Sequence, residues 1–188
     1  LFSRARRAKA VGTLGGAIVG AVSNGEIEQQ DIDEIAMTAG RDTINAADEA
    51  NLPGRFTAFA GYEYTSSTSE RGNLHRNVIF KNEYVPDRPI SWIETPSAVD
   101  LWNGLEEECV AAKQGCDAIT IPHNPNLSGG LMFETARTTS AGVPEGGISA
   151  EEATRRARWE PLFEVMQHKG SSECDARADL WAEEEYCA

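Results

Sequence analysis

The sequence predicts an α/β fold in which strands alternate with helices in a largely parallel sheet. Three observations carry that expectation. Apolar residues recur at helical spacing in two stretches, Ile32 to Ala47 and Ala98 to Ala112. Short runs rich in aromatic and β-branched residues, "RFTAFAGYEYTS", "LHRNVIF", "DAITI" and "LFEVMQ", lie between and after them. Glycine- and proline-bearing breaks separate these segments, as at Asn51–Gly54 and Gln114–Gly115. In a parallel α/β sheet the site is expected at the carboxyl ends of the strands.

Each element has a local justification. Ile32, Ile35, Ala36, Ala39, Ile44 and Ala47 form the apolar stripe of a first helix, in spite of Gly40. Ser97 and Asp100 form a capping box for a second, whose apolar face is Ala98, Leu101, Trp102, Leu105, Cys109 and Ala112. Gly115 closes it as a C-terminal cap. Residues 129–147 are small, polar and glycine-rich, and read as a long surface loop around Met132–Phe133. Ser149 and Glu152 cap a third helix, "SAEEATRRARW", and Pro161 leads into "LFEVMQ" as a buried strand. The stretch to Ala188 reads as an acidic helix or loop. Residues 1–30 form a Gly/Ala-rich and polar segment, and 31–188 a single domain.

The 17 basic and 30 acidic side chains give a formal net charge of −13. Such a field repels nucleic acid and acidic membrane surfaces, so phosphate-backbone binding is not expected. The apolar run Ala10–Val22 is too short for a membrane span but has signal-peptide proportions; an internal helix or loop of a longer chain is the other reading. The cysteines fall as two close pairs, Cys109/Cys116 and Cys174/Cys187, without CxxC spacing. That disfavours a thiolate zinc site and leaves free buried thiols or two local disulfides in an exported protein.

Candidate chemistry rests on three histidines, His75, His123 and His168, and on Glu63, which ends an apolar strand. Imidazole nitrogen with carboxylate oxygen suits a divalent metal, although no two of these residues lie within one helical turn. "AITIPHNPNLSGG" ends abruptly at Pro122–His123 and then uses two asparagines and two glycines, more than a connector needs. A site-shaping loop and a tight turn with side-chain caps both account for it. No GxGxxG, P-loop or Ser–His–Asp arrangement offers a competing mechanism.

The blocks "GYEYTSS", "GNLHRNVIF", "AITIPHNPNLSGGLMF" and "FEVMQHKGSSEC", in that order, resemble the domain of unknown function 3604 family, a branch of the polymerase and histidinol phosphatase (PHP) superfamily. The resemblance spans about Asn45 to Ala188. It implies a small-molecule substrate and part of a distorted (β/α)₇ barrel with a metal centre that hydrolyses phosphate esters, holding zinc, manganese or iron. Glu63 matches the metal-bridging glutamate, and His75 and His123 match histidine ligands. Arg76 and Asn124, beside those ligands, are candidates to hold substrate oxygens or orient the ligands, with a plain structural hydrogen bond as the other reading. Asn126 would shape the loop over the site, and His168, where relatives vary, would support the centre or lie exposed. The superfamily's HxH pair and late Asp-x-His are absent here, which suggests the central piece of a longer protein with an incomplete centre. The alternative to a phosphoesterase is an inactive remnant acting as a binding or structural module. A hydrolase of sulfate esters or amides is a weaker option.

Overall fold

The computed structural model describes residues 21, 24–67, 73–92, 94–112, 114–123, 125, 128, 131–133, 136–138, 144–167 and 170–171. The apolar run Ala10–Val22 lies almost wholly outside them. Helix α1 (Gln29–Ala50) leads into a three-stranded sheet of β1 (Gly61–Ser67), β2 (Asn73–Phe80) and β3 (Ala118–Pro122), in that spatial order. Between β2 and β3 lies helix α2 (Ala98–Leu105), extended by a π-helical turn over Glu106–Ala111. Two short strands, β4 (Ala136–Thr138) and β5 (Pro144–Gly147), precede helix α3 (Ala150–Trp159), and the two-residue strands β6 (Met166–Gln167) and β7 (Gly170–Ser171) follow it. No helix among the described residues is long and apolar enough to cross a membrane.

The fold is mixed α/β, but the strand order departs from the expected parallel arrangement: every pairing among the described residues is antiparallel. For β1 and β2 the reason is connection length, since a parallel crossover needs a dozen or more residues. For β2 and β3 the chain makes two passes beneath the sheet instead of one. Residues 81–97 first run outward along it, marked by Tyr62 Oη donating to the Ile90 carbonyl (3.2 Å) and Tyr64 Oη donating to that of Thr95. Helix α2 then returns to the starting end, where Ala118 pairs with Phe80. Two passes restore the chain to the end it left, so β3 runs antiparallel.

The core lies between this sheet and α2. Residues alternate in burial along β2 and β3, with Arg76, Val78, Phe80, Ala118, Thr120 and Pro122 on the covered face. Leu101, Trp102, Leu105 and Cys109 meet them, and Trp159 of α3 closes the cluster. Each such leucine contributes on the order of 2–5 kcal/mol relative to alanine. Both capping boxes form as expected, Ser97 with Asp100 and Ser149 with Glu152. A Cys109–Cys116 disulfide ties the end of the π-helical turn to the residues before β3, with Cα atoms 5.2 Å apart. Gly115 permits this return: its φ of +89° suits glycine, and the Tyr84 ring lies only 3.1 Å from where a Cβ would sit. A disulfide here is compatible with an exported protein.

Four further expectations change. The first strand starts at Gly61 rather than Arg55, because Leu52–Phe56 closes a turn by an isolated bridge. Ile44 and Ala47 of α1 pack on the core, but Ile35 is 66% exposed, because among the described side chains of the helix those that reach the cluster lie in its second half. The stretch 129–147 is not all loop, since β4 and β5 pair within it. "LFEVMQ" is not a buried strand: Leu162, Phe163, Val165 and Met166 are all exposed, and only its last two residues form a strand. A ladder-like contact to the sheet is made by the Glu164 amide donating to the Pro122 carbonyl, 3.0 Å.

Candidate metal centre

Alternation along the strands creates two chemically different faces. Glu63 and Thr65 in β1 and His75 and Asn77 in β2 share the less covered face, because Thr65 pairs with His75 and Glu63 with Asn77. His123, one residue past β3, joins them: its amide donates to the His75 carbonyl, 3.2 Å. In an antiparallel sheet the start of β2 lies beside the ends of both neighbours. Glu63 sits in the middle of its strand and His75 near the beginning, so the site does not gather at carboxyl ends as a parallel sheet would require.

The three ligand candidates meet. Glu63 Oε1 lies 2.8 Å from His75 Nδ1 and 3.6 Å from His123 Nε2. The two imidazoles stack with centroids 5.3 Å apart and planes inclined by 22°. One donor atom from each residue lies within 4.8 Å of the others. Ligand atoms around a tetrahedral ion at ~2.1 Å stand about 3.4 Å apart, so side-chain rotation would close the set on a divalent cation. The chemistry of the set also fits: two imidazoles and a carboxylate suit zinc, manganese or iron. His123 is buried and the His75 side chain partly so, whereas the Glu63 side chain is 50% exposed. The cluster therefore has a firm inner side and one side open to solvent.

Sequence reasoning missed Thr65. Its hydroxyl lies 2.8 Å from His75 Nδ1 and donates to Glu63 Oε1 at 3.2 Å. The signal was available: once "GYEYT" is a strand, period-two alternation puts Thr65 on the face of Glu63.

The remaining expected site residues are distributed differently. Arg76 follows His75 and therefore faces the other way. It is 2% exposed and donates from Nε to Glu160 Oε1 at 2.5 Å, with Arg156 on the other carboxylate oxygen at 3.1 Å. Arg76 is thus part of a buried ion pair beneath the sheet and does not reach the metal-capable cluster. Asn124, Asn126, His168, Cys174 and Cys187 lie outside the described residues. Of the "NPNLSGG" loop, Ser128 is buried and donates from Oγ to the Pro125 carbonyl (2.6 Å), a side-chain-closed turn.

A family model described as "Protein of unknown function (DUF3604)" matches residues 5–188, and the chain belongs to that family. No curated protein and no solved structure matches it.

Proposed function

We propose that this member of the DUF3604 family is a metal-dependent hydrolase of PHP type, acting on a small-molecule phosphate ester, with Glu63, His75 and His123 holding a divalent ion. The observation that carries the reading is the convergence of one carboxylate and two imidazoles, from β1, β2 and the residue after β3, to within 4.8 Å. Two histidines and one glutamate with an open side is a ligand set found in catalytic zinc hydrolases. When bound, the metal would lower the pKa of a coordinated water toward neutrality and offset phosphate charge, which matters in a chain of net charge −13. Glu63, the exposed member, faces the side by which water and substrate enter. His123, held in place by burial and by its backbone bond to His75, supplies a rigid nitrogen. In the fuller PHP reading, the antiparallel sheet is one part of a distorted barrel.

A second reading has an observation of its own. Glu63, Thr65 and His75 already satisfy one another at 2.8–3.2 Å, as a structural polar cluster in a metal-free binding module would. Metal content separates the two. Protein purified without chelators is expected to carry about one equivalent of zinc, manganese or iron, measured by elemental mass spectrometry. Glu63→Ala and His123→Ala should each remove it while leaving the circular dichroism spectrum intact. A folded wild-type chain that neither retains nor takes up metal would overturn the hydrolase reading and favour the module.

A further inference from the structure

We propose that Thr65 is the positioning residue of this centre, an inference that rests on the reading of Glu63, His75 and His123 as metal ligands. The backbone pattern explains why this position is suited to the task. The Phe80 amide donates to the Ala60 carbonyl, which marks residues 60 and 80 as a hydrogen-bonded pair. Such pairs alternate with non-bonded ones, so Thr65 and His75 form a non-bonded pair, the kind in which opposed Cα atoms approach to ~4.5 Å. Their side chains are therefore close neighbours across the strands.

An imidazole in a half-open site can turn about its Cβ–Cγ bond, which would carry its nitrogens away from Glu63. Thr65 resists this. Its branched Cβ restricts χ1, and its Oγ1 touches both candidate ligands at once, His75 Nδ1 at 2.8 Å and Glu63 Oε1 at 3.2 Å. The hydroxyl thus ties the carboxylate and the imidazole together before any ion arrives. His123 has other restraints, burial and the stacked His75 ring. His75, with 18% of its side chain exposed, depends more on its polar neighbours.

The test compares Thr65→Val, which keeps the branched shape without the hydroxyl, with Thr65→Ser, which keeps the hydroxyl without the methyl. Zn²⁺ affinity of the metal-free full chain is measured against a competing chelator, and Co²⁺ absorption reports the geometry of the bound ion. Loss of a group that orients a metal ligand weakens binding on the order of 10–100-fold, so Thr65→Val should fall in that range while Thr65→Ser stays within about threefold of wild type. The Co²⁺ spectrum should change in Thr65→Val and be restored in Thr65→Ser. Thermal melts of the metal-free proteins establish that each is folded, and Thr65→Ala replaces the valine variant if valine crowds the imidazole. Wild-type affinity in the hydroxyl-free variants, or equal loss in Thr65→Ser, would overturn the role of Thr65 alone. Failure of the wild-type chain to bind Zn²⁺ would instead overturn the metal-centre reading, and the positioning role with it.

Discussion

The two faces of the β1–β2–β3 sheet are built from alternate residues of the same strands, yet they treat polar groups in opposite ways. On the covered face Arg76, Trp102 and Thr120 are each matched to a fixed protein partner. Arg76 meets Glu160, Trp102 Nε1 donates to Thr120 Oγ1 at 3.2 Å, and that hydroxyl donates to the Trp159 carbonyl at 3.1 Å. On the less covered face the polar groups turn toward one another instead, and three of them could share a cation. Burying an unmatched charge is costly, so the covered face had to be completed within the described elements. The other face keeps a half-exposed carboxylate at its edge. Adjacent residues can therefore have unrelated roles: His75 belongs to the candidate centre and Arg76 to the scaffold.

That separation can be broken most forcefully at Glu160. Its carboxylate is 4% exposed and bonded by both Arg76 and Arg156. Glu160→Ala leaves the Arg76 guanidinium buried without its carboxylate, and removal of one partner from a buried pair typically costs about 3–5 kcal/mol. Urea denaturation should show a loss of that size, while the Zn²⁺ affinity of the remaining folded protein stays that of wild type. An affinity loss comparable to that of His123→Ala would mean the two faces are not independent.

A smaller effect is expected at the disulfide. Cys109 and Cys116 are seven residues apart, and closing so short a loop restricts the unfolded chain by roughly 2–3 kcal/mol. The bond lies before β3, whereas His123 follows that strand, so the double variant Cys109→Ala/Cys116→Ala should lose that stability without altering metal affinity. Thermal melts and Zn²⁺ titration of the double variant test both halves of the statement. A loss of metal binding at full folding would tie the centre to the helical layer beneath the sheet.

What could be read from the sequence follows the range of the interactions involved. Both capping boxes were legible, because Ser97–Asp100 and Ser149–Glu152 act within one helical turn. His75 and His123 were legible as two of only three histidines, but Glu63, one of many acidic residues, was singled out by the resemblance of its block to the family and not by spacing. The antiparallel course of β3 was not legible. It depends on residues 81–97 running along the sheet, held by Tyr62 and Tyr64 phenols reaching Ile90 and Thr95, and that segment has no periodicity of its own. The partner of Arg76 was out of reach as well, 84 residues away at Glu160. Its facing direction was not, since alternation alone separates it from His75. The exposure of Leu162 to Met166 shows the limit of composition: an apolar run marks a strand only where a second layer exists to cover it.

The least disruptive probe of the covered face is the ionisation of its two tyrosines. Burial is the main cause that raises the Tyr62 phenol well above the ordinary range, with the Ile90 backbone bond opposing it. Burial likewise raises Tyr64, against bonds to Ser66 and Thr95. In the unfolded chain both titrate near pH 10. A folded-state pKa above the unfolded one means their contribution to stability is complete below about pH 10 and is lost as pH rises through the folded values. Absorbance at 295 nm should therefore show Tyr62 and Tyr64 ionising only with alkaline unfolding, in one cooperative step with the circular dichroism signal. If they ionise near pH 10 in a chain that is still folded, the face beneath the sheet is open to water. The contrast between a closed face and a half-open one would then lose its basis.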